Sequence, residues 1–442
     1  MGVKDYLKIF CLVLVPITVN AEQLSLLQAY QKAQKYDALL KAAVSSNDAQ
    51  MEEISKARAV FMPQARISAS KGKAFTDAYT SVAPKHSEYY TNNYALTVRQ
   101  TIYSKANFAN YSQAFSEVAK SKAILEKEQL SLASRVTGAY LDLLLASDNI
   151  RYSDSQKKSA ASQLEQANRK FAAEVGTVTE VNEAKANLDK VIAQSLEWVN
   201  ALEYSKRALE NVTGVYADSS FTINLDKLSL VPPNPINIDE WVELAMQKNQ
   251  EIVAAQNEYL SALQEIEKNK SGHFPTLDLI ASKSQSENDN NYTIGSKYVT
   301  DSISLQLNIP LYSGGYVSAT VRQAIAKSEE LQQMLEDKKR TVSVNVRKYF
   351  NEVLNGVARV EAHQSSVRSY EAALIGTQKG YEAGFRTNVE VLGAQEKFYL
   401  ALRDLASERY KLIYNRLALK QVVGVLNEDD ISEVSASLSL IQ

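Results

Sequence analysis

The absence of proline from two long stretches is the feature that most constrains this chain. Prolines are missing from residues 85–231 and from everything after Pro310. Because proline breaks helices and is excluded from central strands, these stretches leave room for unusually long helices. A continuous helix over residues 106–170 would be about 97 Å long at about 1.5 Å per residue. Such a helix cannot wrap a compact core, so the sequence predicts an elongated body.

The chain also repeats itself in its second half. A spacing of 210 positions relates four pairs of residues: Phe171 and Tyr381, Thr177 and Thr387, Glu180 and Glu390, and Gly214 and Gly424. Farther upstream, MPQARISAS at 62–70 resembles FPTLDLIAS at 274–282, with a small slip in the spacing. Apolar residues recur in alternating three- and four-residue steps, which is typical of helices that pack side by side. The chain is therefore interpreted as a tandem duplication.

Each copy is predicted to fold as a helix, two strands, a very long helix, a short tip and a final helix. The first copy, 22–213, has helix 23–60, strands near 64–76 and 91–104, helix 106–170 and helix 180–212. The second copy, 238–423, has helix 238–270, strands near 276–287 and 300–312, helix 316–379 and helix 388–422. Residues 214–237, rich in Pro, Asn and Ser, link the copies, and residues 424–442 follow the second. The predicted fold class is α+β.

The amino terminus predicts export. In residues 1–21, Lys4 and Lys8 flank the start of an apolar run, and residues 19–21 read Val-Asn-Ala, a small-residue cleavage site. These features are those of a secretory signal peptide. Cys11, the single cysteine, lies within this segment, so the mature chain is expected to contain no thiol and no disulfide.

Composition argues against several classes of function. The chain carries 49 Lys and Arg against 51 Asp and Glu, and it has no basic stripe, so no nucleic-acid surface is predicted. His86, His273 and His363 are scattered along the sequence, which argues against a metal site, and no cofactor is expected. No set of nucleophile, base and orienting residue is discernible, so the chain is not expected to be an enzyme.

The predicted strands alternate apolar and polar residues. Ile303, Leu305 and Leu307 alternate with Ser304 and Gln306, as transmembrane barrel strands do. A half-buried strand of a soluble sheet shows the same period, and the strands taken alone favour that reading. The predicted export signal and the absence of a predicted partner sheet shift the balance towards a barrel. One chain offers only four strands, whereas bacterial outer-membrane barrels begin at about eight. If the strands form a barrel, the chain must therefore oligomerise.

Three motifs carry a resemblance to a known family: GHFPTLDL at 272–279, IPLYSGGYV at 309–317 and GYEAGFRTNVEVL at 380–392. With the duplication, they make the chain resemble the TolC family of outer-membrane efflux and secretion channels over nearly its whole mature length. The resemblance implies a homotrimer in which a long α-helical coiled-coil barrel in the periplasm continues into a 12-stranded transmembrane β-barrel, four strands per chain. Residues 214–237 and 424–442 would form an equatorial band.

The same resemblance implies a function in transport. The chain would be the outer-membrane channel of tripartite efflux pumps and type I secretion, a passive duct for drugs, small toxic compounds and secreted proteins. Its partners would be outer-membrane lipid, a periplasmic adaptor (membrane fusion) protein and an inner-membrane RND or ABC transporter. A periplasmic adaptor or structural coiled-coil protein without a barrel is the alternative, although it leaves the alternating strands unused.

The segment 380–395 interrupts the helical pattern and is the candidate gate. Two glycines relax its backbone, Thr387 or Asn388 can cap the next helix, and Glu390 lies in the first turn, where the helix dipole favours an anion. On the residues alone, Glu390 is better explained as an ordinary carboxylate at a helix start.

The resemblance assigns roles at both tips. It implies that Tyr381 and Arg386 link the coiled coils by hydrogen bonds to Thr179 and Glu180. It places Glu390 on the first of two aspartates whose rings constrict the pore. Gly393 falls on the second, so one ring of carboxylates is expected here instead of two, with a weaker preference for cations.

Overall fold

The fold of residues 24–79, 84–217, 231–290 and 293–438 is given by a computed structural model. The predicted signal peptide and most of the linker 214–237 lie outside these described residues. The described ranges contain helices α1 (Leu26–Tyr36), α2 (Ala38–Ala59), α3 (Lys105–Ala172), α4 (Val178–Thr213), α5 (Ile238–Lys248), α6 (Gln250–Lys270), α7 (Tyr316–Glu382), α8 (Asn388–Val423) and α9 (Glu428–Ser437). Their strands are β1 (Gln64–Tyr79), β2 (Pro84–Ser104), β3 (Thr276–Asn290) and β4 (Thr293–Asn308).

Two long helical hairpins dominate the molecule. The first hairpin consists of α3 and α4, and the second consists of α7 and α8. Helix α3 has 68 residues and α7 has 67, so each is about 100 Å long at about 1.5 Å per residue. Helix α3 starts directly after β2, and its side packs along α8. The two hairpin tips therefore lie far from the sheet, at the other end of an elongated body.

The single helices predicted over 23–60 and 238–270 are wrong, because each is broken once. Asp37 leaves the helical backbone with ψ of 124°, and its carboxylate accepts a hydrogen bond of 2.8 Å from the Leu40 amide to begin α2. Asn249 likewise has ψ of 124°, and its side chain caps α6. Both residues also bond to a distant element, and these tertiary contacts hold the breaks in place.

The four strands form one antiparallel sheet in the order β1-β2-β3-β4. Register pairs Leu96 of β2 with Ile67 of β1. Through Ala281 it also places Ile303 of β4 in line with Val98, two residues beyond Leu96, so these apolar residues share a face. On that face Ile303 is 81% exposed. On the opposite face, Arg99 donates a hydrogen bond of 2.6 Å to Asp278, a buried carboxylate. One face of the sheet is thus mainly apolar and exposed, with one ion pair of 3.2 Å between Lys283 and Asp301, and the other carries the pair of Arg99 and Asp278.

The strand bounds differ from those predicted. Strands β2 and β4 begin seven residues earlier than predicted, at Pro84 and Thr293. The strand predicted to run to residue 312 is wrong at its end, because β4 stops at Asn308. Asn308 pairs with Thr276, the first residue of β3, so no partner strand continues beyond it. Pro310, which has no amide proton to donate, follows.

The apolar core lies where short helices flank the long ones. One cluster joins α1 and α9 to α3 and α8 around Leu132, Val136 and Leu143, all fully buried. A second joins α5 to α7 and α8 around Val342 and Val346. Leu132 and Val342 lie 210 positions apart, as do Val136 and Val346, so the two clusters use matched positions of the two copies. Buried side chains are concentrated in these two clusters, and we call this region the waist. Fewer side chains are buried in the hairpins beyond it.

In the described ranges, no helix is both long enough and apolar enough to cross a lipid bilayer.

Candidate functional site: the paired hairpin tips

The two hairpin tips have the same backbone design. We call residues 170–180 the first tip and residues 380–390 the second tip. The Val175 amide donates to the Lys170 carbonyl at 3.0 Å, and the equivalent Phe385 amide donates to the Gly380 carbonyl at 2.8 Å. Each turn contains one residue with a left-handed backbone, which closes a helix before the chain reverses. The duplication seen in the sequence therefore extends to individual hydrogen bonds.

A capping box starts the helix that follows each tip. Thr177 caps α4 by accepting from the Glu180 amide at 3.2 Å, and Glu180 accepts from the Thr177 amide at 3.2 Å. Thr387 and Glu390 make the same reciprocal pair at the start of α8. A glutamate in the first turn also faces the positive end of the helix dipole. The carboxylates at 180 and 390 are thereby tied to their own helices.

Each tip has a glycine at a position where an added Cβ atom would clash with a cationic side chain. A Cβ atom added at Gly176 would lie 2.9 Å from the Cβ atom of Lys170. In the second tip, a Cβ atom added at Gly380 would lie 2.8 Å from the Cγ atom of Arg386. Since 170 corresponds to 380 and 176 to 386, each tip has one cation and one glycine, but in exchanged positions.

Glu390 is the most heavily bonded group of the second tip. Its carboxylate accepts from the Arg386 guanidinium at 2.6 Å, from the Thr387 amide at 2.7 Å and from the Thr387 hydroxyl at 3.1 Å. The backbone hydrogen bond from Thr387, followed by that from Arg386, lowers the pKa of Glu390 below its ordinary value. Glu390 is therefore anionic at neutral pH, with one adjacent cation.

The structure brings together only some of the predicted gate residues. Arg386 contacts Glu390, and the Tyr381 ring lies under the ammonium group of Lys170. Within the described part of one chain, neither Tyr381 nor Arg386 is hydrogen-bonded to Thr179 or Glu180. Thr179 is exposed on the surface of α4. The predicted links to these two residues therefore remain predictions.

Gly393 lies on α8, one turn beyond Glu390, in open space. No atom lies within 4 Å of the position that its Cβ would take. The backbone there is an ordinary helix, so larger side chains fit without strain.

The sequence did not predict the polar contacts between the two hairpins. Lys190 pairs with Glu396 at 2.7 Å, and Arg403 donates to Gln156 at 2.7 Å. The most relevant one is Lys170, whose ammonium lies on Tyr381 of the other hairpin. Comparing the copies at a spacing of 210 would have drawn attention to Lys170, since the matching position is Gly380.

Across the ranges that the structure describes, no group of three or more His, Cys, Asp or Glu side chains is placed to hold a metal ion.

Comparisons with known proteins agree with this geometry. A profile of the outer membrane efflux protein family matches the chain twice, over residues 29–215 and 241–425. Proteases secretion protein PrtF of Dickeya chrysanthemi is 31% identical over 425 residues, which cover 94% of this chain and 92% of PrtF. Outer membrane protein TolC of Vibrio cholerae is 29% identical over 420 residues, 94% of each chain.

The fold has a close structural counterpart as well. The crystal structure of the outer membrane protein VceC of Vibrio cholerae matches with a TM-score of 0.77 at 20% identity, covering 90% of this chain and 96% of VceC. The predicted resemblance and fold class are confirmed by these matches, and the alternative of an adaptor without a barrel is not supported. The chain belongs to the outer membrane efflux protein family, a family of transport channels, and is an outer-membrane channel that extends into the periplasm.

Proposed function

We propose that three copies of this chain form a passive export duct that is gated at its hairpin tips. The observation that carries the trimer is the four-stranded sheet, in which β1 and β4 each pair on one side only within the described residues. Unpaired strand edges are costly in lipid, so β4 of one chain is expected to pair with β1 of the next. Three chains then supply 12 strands, enough for a barrel with a lumen.

The apolar and polar faces of the sheet fit this arrangement. Ile67, Leu96 and Ile303 would face the lipid, and the Arg99–Asp278 pair would face the lumen. The long helices would continue the duct into the periplasm. Residues 214–237 and 424–442 would form a band around its waist.

The proposed cargo includes secreted proteins as well as drugs and small toxic compounds. Support comes from PrtF, a relative named for protease secretion, and from the name of the family, which refers to efflux. A duct without its own energy source depends on partners. We therefore propose docking to a periplasmic adaptor (membrane fusion) protein and to an inner-membrane RND or ABC transporter.

The gate would lie at the second tip. Glu390 would form a ring of three carboxylates in the narrowest part of the pore, and Gly393 would leave the next ring absent. Tyr381 and Arg386 would bond to Thr179 and Glu180 of the coiled coils beside them. Opening would break these bonds and let the second hairpin, 316–422, realign with the first, 106–212, which widens the mouth.

Imaging and conductance measurements test this proposal. The detergent-solubilised protein should appear as a threefold tube, and the wild-type protein should conduct weakly in planar bilayers. Arg386→Ala should raise the single-channel conductance, because it frees the second tip. Arg169→Ala is the matched control, since Arg169 is also a cation near a tip but is highly exposed, and its guanidinium pairs with Glu165 of its own helix. A protein that forms no channel would refute the proposal, and equal conductance of wild type and Arg386→Ala would refute the gate.

A further inference from the structure

Lys170 makes a contact that joins the two hairpins at their ends. Its ammonium nitrogen lies 3.8 Å from the centroid of the Tyr381 ring. Lys170 is in the last turn of α3 and Tyr381 in the last turn of α7, so the contact crosses from the first tip to the second. Both side chains are half-buried. A cation within about 6 Å of an aromatic centroid is attracted to the ring face.

The backbone of the first tip is adapted to Lys170. Gly176 leaves free the volume that a Cβ atom would occupy 2.9 Å from the Lys170 Cβ atom. In the second tip the corresponding cation is Arg386, which turns back to Glu390 of its own hairpin. Because glycine and cation are exchanged between the tips, the two cations make different contacts. Arg386 bonds within its own hairpin, whereas Lys170 contacts the other hairpin.

Two polar contacts join the hairpins a few turns from the tips: Lys190 pairs with Glu396 at 2.7 Å, and Gln395 donates to Ser159. Other polar groups in this region lack partners. The side chain of Asn388 is 4% exposed, yet its amide nitrogen has no hydrogen-bond partner among the described residues. Both polar atoms of the Gln163 side chain are also without a partner there. Buried polar groups without partners weaken the packing of the two hairpins. The contact between Lys170 and Tyr381 lies beyond these residues, at the ends of the two hairpins.

We propose that Lys170 is a positioning residue of the gate, which holds the second hairpin in its closed position by binding the face of the Tyr381 ring within the same chain. This inference rests on the proposed gating function. It differs from the bonds of Tyr381 and Arg386 to Thr179 and Glu180, because it uses the ring and not the hydroxyl. In a trimer the contact forms three times, so one substitution removes three contacts from each channel.

Single-channel recordings of the full-length protein in planar bilayers test the proposal, because they give the ratio of open to closed channels. Lys170→Met should raise the ratio of open to closed channels about tenfold or more, since three weak contacts are lost together. Lys170→Arg should stay near wild type, because a guanidinium also binds an aromatic face. Arg169→Met, which removes the adjacent exposed cation, should leave the ratio unchanged.

Double variants separate the ring from the hydroxyl. In a Tyr381→Phe background, where the ring remains, Lys170→Met should raise the ratio of open to closed channels as it does in the wild type. In a Tyr381→Leu background, where the ring is absent, it should leave that ratio unchanged. Equal effects of Lys170→Met and Arg169→Met, or an undiminished effect in the Tyr381→Leu background, would overturn the inference. If Arg386→Ala opens the channel and Lys170→Met does not, only the role of Lys170 fails and the proposed gate stands.

Discussion

Glu174 and Gly384 lie 210 positions apart and hold the same left-handed backbone, with φ of 58° and 82°. Glycine adopts this conformation at little cost, whereas a residue with a Cβ atom is strained by about 1 kcal/mol or more. The first tip therefore keeps a strained glutamate where the second tip uses glycine. Both tips turn in the same way because the hydrogen bonds that close them are the same.

Replacing Gly384 should show how much the second tip depends on this conformation. Gly384→Ala is expected to lower the free energy of unfolding by about 1 kcal/mol, because alanine disfavours a positive φ. Gly376→Ala, in the ordinary helical backbone of α7 and in open space, should instead raise it by about 0.5–1 kcal/mol. Urea unfolding of the solubilised protein, followed by far-ultraviolet circular dichroism, measures both. Shifts in the same direction would contradict this explanation.

Asp37 is fixed by contacts on two sides. Its carboxylate accepts from the Leu40 amide and also takes two hydrogen bonds, of 2.8 and 3.0 Å, from the guanidinium of Arg135 on α3. The hydrogen bond from Arg135 is the main cause of a pKa for Asp37 below its ordinary value. The Asp37 side chain is buried, so the carboxylate is shielded from solvent, whereas Arg135 is partly exposed.

The variant Asp37→Asn separates the cap from the charge. Asparagine caps a helix as well as aspartate does, so only the ion pair is lost, at a cost of about 2 kcal/mol at pH 7. A lowered pKa in the folded state gives stability above the unfolded pKa of about 3.9, and this stability is lost as pH falls through the folded pKa. The difference between wild type and Asp37→Asn in thermal unfolding should therefore shrink below about pH 4.

Asp37→Ala provides the control for the cap. It should be less stable than Asp37→Asn by about 1 kcal/mol at every pH, since it also loses the bond to the Leu40 amide. If the difference in thermal stability between wild type and Asp37→Asn stayed constant down to acid pH, this would argue against the ion pair.

The sequence predicted the long helices and the sheet well, because proline placement and strict periodicity control them. It missed the breaks at Asp37 and Asn249, because neither proline nor glycine marks them and the apolar pattern continues on both sides. Contacts with distant residues maintain these breaks: Arg135 binds Asp37, and Asn249 donates to the Val422 carbonyl at 2.6 Å. Local propensity carries no information about such partners.

The candidate site shows the same limit. Thr387 and Glu390 form the predicted cap because their partners are three residues away. The contact of Lys170 with Tyr381 joins residues on two hairpins, so no spacing in the sequence predicts it. Thr179 makes no hydrogen bond to Tyr381 or Arg386 within the described part of one chain, so its role in the gate remains a prediction.

A buried hydrogen bond ties the second hairpin to the first nearer the waist. Tyr410 on α8 donates at 2.8 Å to Asp148 on α3, and Arg151 pairs with the other carboxylate oxygen at 2.8 Å. Tyr410 and Asp148 are each 4% exposed. Burial raises the pKa of Asp148 above its ordinary value, although Arg151 and Tyr410 act in the opposite direction.

Tyr410→Phe should destabilise the protein in a pH-dependent way. Loss of a hydrogen bond to a buried carboxylate is expected to cost about 1.5–3 kcal/mol. The pKa of Asp148 should rise further, and a raised pKa of an acid makes folding less favourable as pH rises through it. The cost should therefore be larger at pH 7 than near about pH 4. Tyr204→Phe, at an exposed position on α4, is the control and should have little effect at either pH.

Gly393 offers a direct test of the single ring of carboxylates. Gly393→Asp fits, because no atom lies within 4 Å of the added Cβ, and it places three further carboxylates in the proposed constriction one turn from Glu390. Focused negative potential should then bind cations more tightly, so Mg²⁺ should block the bilayer current at a concentration lower by about tenfold. Gly393→Asn, which has nearly the same shape without the charge, should be blocked as the wild type is. The difference between the two variants should shrink from about 0.1 M to about 1 M salt, as the Debye length falls from about 10 to about 3 Å. Equal block of the Asp and Asn variants at low salt would mean that position 393 does not face the pore.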